Sequence, residues 1–370
     1  MVKVAESHHI RIKTALDKIL QGDCTKILKT LPDKSIDLIF ADPPYFMQTE
    51  GELLRVSGEK FSGVEDSWDK FDNLQSYDTF CTSWLKECKR VLKDSGSIWV
   101  IGSFQNIFRL GVIMQDLGFW ILNDVIWAKP NPVPNFKGTR LCNAHETLIW
   151  CAKSKNSKYT FNYKTMKFLN NDKQERSVWN IGICIGNERL KDKEGKKAHS
   201  TQKPESLLQK VILSSSKIGD IVLDPFFGTG TTGAVAKKFG RHFIGIEQDK
   251  NYIKIAQDRI AKIKPQIDKI SNGELETKPP KVSLKELVEA KILEIGTRFY
   301  DKNKNYVCDF IGGEKVSDGK DTLSIHKMAA KHLNKSNYNG WTYFYVQKGE
   351  KLVSIDEIRR GYKEQKCKRF

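Results

Sequence analysis

The tetrapeptide Asp42-Pro43-Pro44-Tyr45 has residue types that suit chemistry at an amino group of a nucleobase. Asp42 supplies a carboxylate acceptor, and the backbone carbonyl of Pro43 supplies a second one. Prolines have no N–H group to continue a sheet ladder, so the nearby carbonyls are available to a ligand. Tyr45 offers a flat ring on which a base held outside the double helix can stack. Acceptors placed in this way draw on the amine hydrogens and favour a more nucleophilic nitrogen.

A glycine-rich loop follows a second apolar segment, and the sequence DIVLDPFFGTGTTG spans 220–233. Gly228 and Gly230 allow the backbone to approach a ligand closely, and Glu247 is placed to accept hydrogen bonds from a ribose diol. The loop also matches the fingerprint of nicotinamide dehydrogenases, which therefore remain an alternative. That fingerprint normally starts a βαβαβ unit, whereas only one further strand and helix follow here. The pattern therefore favours another nucleoside-containing ligand.

Three apolar segments, 36–45, 220–233 and 241–249, predict buried strands that deliver an acid where the strand ends. In an open parallel sheet ligands bind outside these carboxyl ends, so the three acids are expected to converge. Further strands are predicted at 95–102, 120–129 and 145–153, and helices at 75–93, 104–117, 204–217, 231–239 and 250–263. The alternation predicts an α/β fold with a doubly wound sheet.

The catalytic body is expected to span residues 1–264, because the strand and helix pattern breaks there. Residues 265–282 are polar and contain prolines, which is typical of a linker. Residues 283–370 predict a small α+β domain. A basic region at about 130–197 interrupts the body and is the expected target-recognition region.

The composition favours a polyanionic partner, because 62 Lys and Arg residues against 45 Asp and Glu give a formal charge of +17. A lysine-rich proteome is the alternative explanation of this charge. The eight cysteines form no CxxC pair and the histidines have no zinc-ligand spacing, so no metal site is predicted. The N-terminal residues lack an apolar signal core and no run is long enough to span a membrane, which predicts a cytoplasmic protein.

The order and sequence of these motifs resemble the β arrangement of DNA amino-methyltransferases, in which the catalytic motif precedes the cofactor motif. Further similarity lies at 21–24 (QGDC), 129–150, 199–204 (HSTQKP) and the C-terminal SIHK…NGW. These are similar to the subgroup containing the cell-cycle-regulated adenine methyltransferase and the HinfI methylase. The resemblance implies a Rossmann-like, circularly permuted methyltransferase fold with S-adenosyl-L-methionine (AdoMet) as cofactor. The residues implied in cofactor binding are Asp23, Cys24, Thr201, Lys203, Asp224, Phe226, Gly228, Gly230 and Glu247.

DNA contacts are expected from three parts of the chain. The long segment 46–72 predicts a loop that closes over DNA, and the proline-containing stretch 130–145 presents amides and cations suited to base edges and phosphates. The C-terminal domain resembles the small domain associated with restriction enzymes and adenine methylases, which implies DNA binding. The candidate residues are Leu53, Leu54, Arg55, Asn131, Lys137, Arg140, Asn143, His145, Ser324, His326, Lys327, Asn339 and Trp341.

The sequence therefore predicts an enzyme that flips an adenine out of double-stranded DNA and methylates its N6 directly. Catalysis is assigned to Asp42, Pro43, Pro44 and Tyr45. The resemblance implies GANTC as the target, and it allows for a homodimer and for a restriction endonuclease acting at the same site. The alternatives are an N4-cytosine methyltransferase, because the target is again an exocyclic amine, and an inactive DNA-binding protein.

Overall fold

The computed structural model describes residues 10–46, 53–54, 60–61, 71–135, 138–191, 195, 201–276 and 282–367. It divides the chain into two compact units, residues 1–276 and 277–370. The strands of the first unit are β1 (Lys18–Gln21), β2 (Ile36–Ala41), β3 (Leu53–Leu54), β4 (Lys60–Phe61), β5 (Leu92–Gly102), β6 (Trp120–Ala128), β7 (His145–Ala152), β8 (Val178–Asn180), β9 (Ile221–Asp224) and β10 (His242–Glu247). Its helices are α1 (Ile12–Ala15), α2 (Cys24–Thr30), α3 (Leu74–Val91), α4 (Ile107–Asp116), α5 (Tyr163–Leu169), α6 (Glu205–Ser215), α7 (Thr231–Lys238) and α8 (Lys250–Ala261).

Eight strands of the first unit form one sheet in the order β1-β10-β9-β2-β5-β7-β6-β8. Strands β1, β10, β9, β2 and β5 are mutually parallel, whereas β7 is antiparallel to both of its neighbours. The predicted α/β sheet is confirmed, and it is a mixed sheet because β7 runs in the opposite direction. That direction brings the start of β7 to the edge where β2 and β5 end.

Helices cover both faces of the sheet, as a doubly wound fold requires. Successive strand residues point to opposite faces, so Ile39 packs with α2, α3 and α4 while Phe40 packs with α6, α7 and α8. Both apolar layers are closed to solvent, and the polar ends of the strands are left at the sheet edge. The fold therefore holds the residues that follow β2, β9 and β10 on a rigid support.

The structure differs from the expected domain boundary at residue 264. Residues 265–276 pack against the first unit: the Arg241 guanidinium donates to the Ser271 carbonyl at 2.6 Å, and the Thr165 amide donates to Glu276 Oε1 at 2.7 Å. The polar composition of this segment predicted a linker, but its polar groups satisfy a buried arginine and a helix end instead. The first unit thus extends to residue 276.

The expected target-recognition region, about 130–197, is also more regular than predicted. It contains β7, which matches the strand predicted at 145–153, and in addition α5, β8 and a short 3₁₀ helix at Gly186–Glu188, which were not predicted. Polar and basic residues on the exposed sides of these elements hid their apolar contacts, such as Trp179 packing with Trp99. The region is therefore partly a structural component of the sheet.

The second unit has strands β11 (Arg298–Tyr300), β12 (Val307–Gly312), β13 (Lys315–Ser317), β14 (Thr322–Ser324), β15 (Tyr345–Lys348) and β16 (Lys351–Ser354). Its helices are α9 (Leu284–Glu289), α10 (Ile325–His332), α11 (Gly340–Tyr343) and α12 (Ile355–Cys367). The strands form one antiparallel sheet in the order β14-β13-β12-β11-β15-β16, and its core includes the stacked rings of Phe299 and Phe310. In neither unit do the described residues include a helix long and apolar enough to cross a membrane.

Candidate active site

A cavity of about 500 Å³ lies at the carboxyl ends of β2, β9 and β10. This volume is within the ~300–1,000 Å³ typical of small-molecule sites. The cavity brings together predicted site residues from five separate parts of the sequence. Of the residues predicted for the site, the cavity is lined by Cys24, Asp42, Pro43, Pro44, Tyr45, Thr201, Lys203, Asp224, Phe226, Gly228 and Glu247.

Asp42 follows the last residue of β2 and uses both carboxylate oxygens. Lys203 Nζ donates to Oδ2 at 2.6 Å, and the Tyr45 hydroxyl lies 2.9 Å from Oδ1. Lys203 Nζ also lies 5.2 Å from the centre of the Tyr45 ring. The sequence assigned Lys203 to the cofactor and Tyr45 to base stacking, whereas in the structure both residues also hold Asp42.

Two residues that the sequence analysis did not single out complete this arrangement. Glu146, near the start of β7, places Oε2 at 2.9 Å from the Tyr45 hydroxyl. Lys129, directly after β6, donates from Nζ to the other Glu146 oxygen at 2.5 Å. A signal was available, because Glu146 is the only acid in the strand segment predicted at 145–153, but nothing in the sequence showed that this strand is antiparallel.

The charges of this cluster affect its two carboxyl groups in opposite directions. Burial raises the pKa of Asp42, and the neighbouring Lys203 ammonium offsets this only in part. Burial also acts against ionised Glu146, but Lys203 and Lys129 outweigh it and hold the pKa of Glu146 below its usual value. Burial therefore favours the protonated form of Asp42, whereas the two lysines favour the ionised form of Glu146.

Hydrogen bonds to the Pro44 carbonyl fix the conformation of the two prolines. The Pro44 carbonyl accepts hydrogen bonds from the Tyr77 hydroxyl at 2.9 Å and from Asn106 Nδ2 at 3.4 Å. Asn106 Nδ2 also donates to the Tyr77 hydroxyl at 2.9 Å. Because α3 and the N-terminal end of α4 supply these donors, the exit from β2 is held in one conformation while Pro43 lines the cavity.

The glycine-rich loop turns tightly between β9 and α7. Gly230 has φ of +78°, and a Cβ atom there would lie 2.8 Å from the Cβ of Ala256. The Gly228 amide donates to Glu247 Oε2 at 2.7 Å, and the Gln248 and Asp249 amides donate to Oε1 at 2.8 and 2.9 Å. A carboxylate oxygen has two lone-pair directions, so Oε2 of Glu247 retains capacity for a ligand hydroxyl.

Asp224, the last residue of β9, is a buried acid at the cavity wall. Its oxygens accept hydrogen bonds from the Phe226 amide at 2.9 Å and from the Thr232 hydroxyl at 2.6 Å. Burial raises the pKa of Asp224 to about 7, despite these two donors. A cationic ligand group at this wall would favour the ionised form.

The remaining residues implied in cofactor binding lie at the start of α2. Asp23 is the N-cap of this helix and accepts hydrogen bonds from the Thr25 and Lys26 amides. Gln248 Nε2 lies 3.3 Å from its other oxygen, which joins this helix to the residue after Glu247. Cys24 lines the cavity, and burial raises the pKa of its thiol, so Cys24 is not a thiolate at neutral pH.

The candidate DNA-reading stretch 130–145 connects β6 to β7 at the same sheet edge as Asp42, because Gly102 at the end of β5 pairs with Thr147. Asn131, Arg140, Asn143 and His145 are exposed there. Asn131 Oδ1 accepts the Ile183 amide at 3.0 Å, and the Arg140 guanidinium lies 5.2 Å from the Phe104 ring. Leu53 and Leu54 form β3, whereas their side chains, Arg55 and Lys137 lie outside the described residues.

The candidate residues of the second unit have mostly structural partners. Ser324 and Asn339 cap α10 and α11, and His326 Nδ1 accepts the Gly340 amide at 3.0 Å. Trp341 is only 7% exposed and packs in the core with the Arg359 guanidinium 4.3 Å from its ring. The expected contact of Trp341 with DNA is therefore not supported by its position, since the small domain uses this ring for its own core. Lys327 is exposed.

Comparison with known proteins identifies the family. A family model described as DNA methylase matches residues 36–258. Type II methyltransferase M.HinfI of Haemophilus influenzae is 63% identical over 354 residues, covering 96% of this chain and 99% of that protein. Type II methyltransferase M2.DpnII of Streptococcus pneumoniae is 40% identical over 243 residues, covering 65% of this chain and 88% of that protein.

Among solved structures, PvuII DNA methyltransferase, described as cytosine-N4-specific, aligns with a TM-score of 0.53 and 23% identity. The alignment covers 70% of this chain and 93% of that one, and at this identity it bears on the fold alone. The family match, together with the relationship to M.HinfI over nearly the full length, confirms the predicted enzyme class. The chain therefore belongs to the DNA methylase family and is a DNA methyltransferase with S-adenosyl-L-methionine as its methyl donor.

Proposed function

We propose that the enzyme methylates the exocyclic N6 of adenine in double-stranded DNA, at GANTC. The observation that carries the chemistry is Asp42, an amine acceptor on the wall of the same cavity as Asp224 and Glu247. The choice of adenine and of GANTC is supported by the subgroup that the motifs resemble and by the 63% identity with M.HinfI.

The cavity has the donor and acceptor groups that AdoMet requires. AdoMet carries a ribose diol and two cationic centres, and the wall presents the carboxylates of Asp224 and Glu247 beside the rings of Phe226 and Phe80. Glu247 retains acceptor capacity and would hold the ribose hydroxyls, while Asp224 would hold the methionine part. We assign the adenine end to Asp23 and Cys24 with Gly22, and the methionine end to Thr201, Lys203, Phe226, Gly228 and Gly230. When bound, AdoMet supplies a methyl group on a positively charged sulfur.

The chain's own residues position the amine for direct transfer. Asp42 and the Pro43 carbonyl accept the two N6 hydrogens, which favours a pyramidal nitrogen and aligns its lone pair. Lys203 lies against one face of Tyr45, so we assign the flipped base to the other face. The proton that the amine loses passes to Asp42, whose pKa is raised by burial, or to water. No covalent enzyme intermediate is required.

We also propose that the DNA is read by the stretch 130–145 together with the C-terminal unit, and that Lys327 contacts phosphate. The exposed positions of Asn131, Arg140, Asn143 and His145 at the edge that carries Asp42 support the first assignment. A cytoplasmic location is proposed because the substrate is DNA. A cognate restriction endonuclease at the same site is proposed from the type II relatives.

A homodimer is proposed from the resemblance to the subgroup of the cell-cycle-regulated adenine methyltransferase and the HinfI methylase. An apolar stripe on the surface of α4 supports it, because Phe108 is 78% exposed and Val112, one turn further, is 57% exposed. A monomeric domain rarely exposes neighbouring large apolar side chains without a partner. Light scattering of the wild type and of the variant Phe108→Ser with Val112→Ser would detect the dimer, and a monomeric mass of the wild type would contradict it.

The experiment that tests the function is methyl transfer from labelled AdoMet to duplexes that differ only in GANTC against a scrambled site. Nuclease digestion and mass analysis then identify the modified base. N6-methyladenine confined to GANTC is the expected result. N4-methylcytosine would overturn the choice of adenine, and DNA binding without any transfer would favour the inactive DNA-binding alternative.

A further inference from the structure

The Tyr45 hydroxyl lies between two carboxylates, with Asp42 Oδ1 and Glu146 Oε2 each at 2.9 Å. A tyrosine hydroxyl carries one hydrogen, so it donates to only one acceptor at a time. At these two equal distances the hydrogen bond can pass from one carboxylate to the other by rotation of the hydroxyl, without movement of the ring.

In the arrangement found here, Asp42 has partners on both oxygens. Lys203 Nζ occupies Oδ2, and Tyr45 is positioned to occupy Oδ1. An amine that binds Asp42 must replace one of these two donors. The Lys203 ammonium is the more firmly held, because its bond is charge-assisted and it is only 6% exposed. The Tyr45 hydroxyl is therefore the donor that is displaced.

Glu146 is suited to receive this hydroxyl. Lys129 holds its Oε1 at 2.5 Å, which fixes the direction of Oε2, and Lys203 Nζ lies 3.9 Å away. Two lysines beside one carboxylate favour its charged form, and a charged acceptor forms the stronger hydrogen bond with a neutral hydroxyl. Glu146 itself is distant from the tetrapeptide in sequence, and in the described part of the chain this hydroxyl and Lys203 join the two.

We infer that Glu146 is a positioning residue that takes over the Tyr45 hydrogen bond and so frees Asp42 Oδ1 for the target amine. This inference rests on the proposed function, in which Asp42 and the Pro43 carbonyl bind the target amine. Glu146 acts through Tyr45 and does not touch the reacting atoms. With Glu146 present the hydroxyl has a partner in both states, so binding of the amine leaves no buried donor unsatisfied.

The first test compares Glu146→Gln with the wild type in single-turnover methyl transfer. The neutral amide is a weaker acceptor, so Tyr45 remains on Asp42 and competes with the amine. A shift of one hydrogen bond to a charged group corresponds to a rate loss of about tenfold or more. The Kd values for AdoMet and DNA are expected to stay within about twofold, because the change affects the arrangement for transfer and not the binding of either ligand.

The matched control is Glu175→Gln. Glu175 is also 12% exposed and is held by Lys210 at 2.7 Å, but neither residue of this pair lines the cavity. Its rate is expected to equal that of the wild type. If Glu146→Gln is too unstable to assay, Glu146→Asp retains the charge for Lys129 but withdraws from Tyr45, and is expected to reduce the rate in the same direction.

A double-mutant cycle with Tyr45→Phe separates positioning from a structural role. Without the hydroxyl there is nothing for Glu146 to receive, so Glu146→Gln is expected to have little further effect on the rate in that background. An equal loss in both backgrounds, or a Glu146→Gln rate equal to the wild type, would overturn the inference. A wild type that forms no N6-methyladenine would instead contradict the proposed function, so the two failures are distinguishable.

Discussion

Lys203 Nζ lies 2.6 Å from Asp42 Oδ2, although the two residues are 161 positions apart in the chain. Lys203 is almost fully buried, and the pair joins the end of β2 to the start of α6. The ammonium counteracts the effect of burial on Asp42 and keeps this acid closer to its ionised form. The cluster therefore links the charge of Asp42, the proposed catalytic acceptor, to Lys203, which we assign to the cofactor.

Replacement of Lys203 by Met is predicted to raise the pKa of Asp42. Methyl transfer requires ionised Asp42 in this account. On acidification the rate of the variant therefore begins to fall at a higher pH than that of the wild type, so the acidic limb of the pH–rate profile shifts to higher pH. Breaking a buried pair also lowers the free energy of unfolding, by about 3–5 kcal/mol. Lys210→Met, which breaks the pair with Glu175, serves as control and should leave the limb in place. An unmoved limb in Lys203→Met would contradict this account.

Asp224 is predicted to make stability depend on pH. Its pKa is about 7 in the folded protein and near 3.8 when exposed, so the folded state binds the extra proton between these values. The free energy of unfolding should therefore decrease as pH rises from 5 to 7, by about 2 kcal/mol from this residue. Denaturant unfolding at pH 5 and 8 should show a smaller decrease for Asp224→Asn. Equal decreases in the two proteins would exclude Asp224 as the source.

Affinity for AdoMet should show the opposite dependence on pH. We assign Asp224 to the cationic methionine end, and its carboxylate is ionised above pH 7, so the Kd for AdoMet is expected to fall between pH 6 and 8. In Asp224→Asn this trend should disappear. Calorimetric titration at several pH values, with Asp220→Asn as control, measures it. A trend that persists in Asp224→Asn would assign the dependence to another group.

The Gly230→Ala substitution is predicted to disturb the glycine-rich loop more than Gly219→Ala does. At Gly230 the left-handed backbone and the approach to Ala256 act together, whereas Gly219 has φ of +79° and open space where an alanine methyl group would lie. Gly219→Ala therefore reports the backbone strain alone, about 1 kcal/mol. Gly230→Ala should lose more unfolding free energy and should weaken AdoMet binding. Equal losses, with AdoMet binding intact, would contradict the tight packing described here.

Substitutions of Lys327 and Trp341 are predicted to affect different properties, DNA binding and stability. Lys327→Ala should weaken DNA binding uniformly across sequences and reduce the salt dependence by about one phosphate contact, without a change in stability. Trp341→Ala removes a core ring and should destabilise the second unit by about 3–5 kcal/mol. Fluorescence-based DNA binding at several salt concentrations and denaturant unfolding separate the two effects. If the salt dependence of DNA binding were unchanged in Lys327→Ala, Lys327 would not be a phosphate contact.

Site residues were predicted well from the sequence where an acid follows or ends a buried strand. Asp42, Asp224 and Glu247 were found this way because apolar runs of this length are visible without knowledge of neighbours. Glu146 and Lys129 were missed, because their role depends on the antiparallel direction of β7 and on pairing with β6. Strand direction is set by connections through the core, which local periodicity does not encode.

Short or polar elements were predicted less well for a related reason. Helix α2 begins at the Asp23 cap but has few residues and borders an exposed surface, so its periodicity is weak. Residues 265–276 have the composition of a linker, yet the buried guanidinium of Arg241 binds the Ser271 carbonyl. Trp341 shows the converse case, since an aromatic residue in a small domain serves either the core or a ligand, and only packing distinguishes them.

The central claim is that Asp42 is the acceptor that activates the target amine. Single-turnover methyl transfer by Asp42→Ala at saturating AdoMet and GANTC duplex tests it most directly, with the Kd for each ligand measured in parallel. The account predicts a rate loss of about 10²–10³-fold or more with both Kd values nearly unchanged. A variant that binds both ligands and still forms N6-methyladenine at close to the wild-type rate would contradict it.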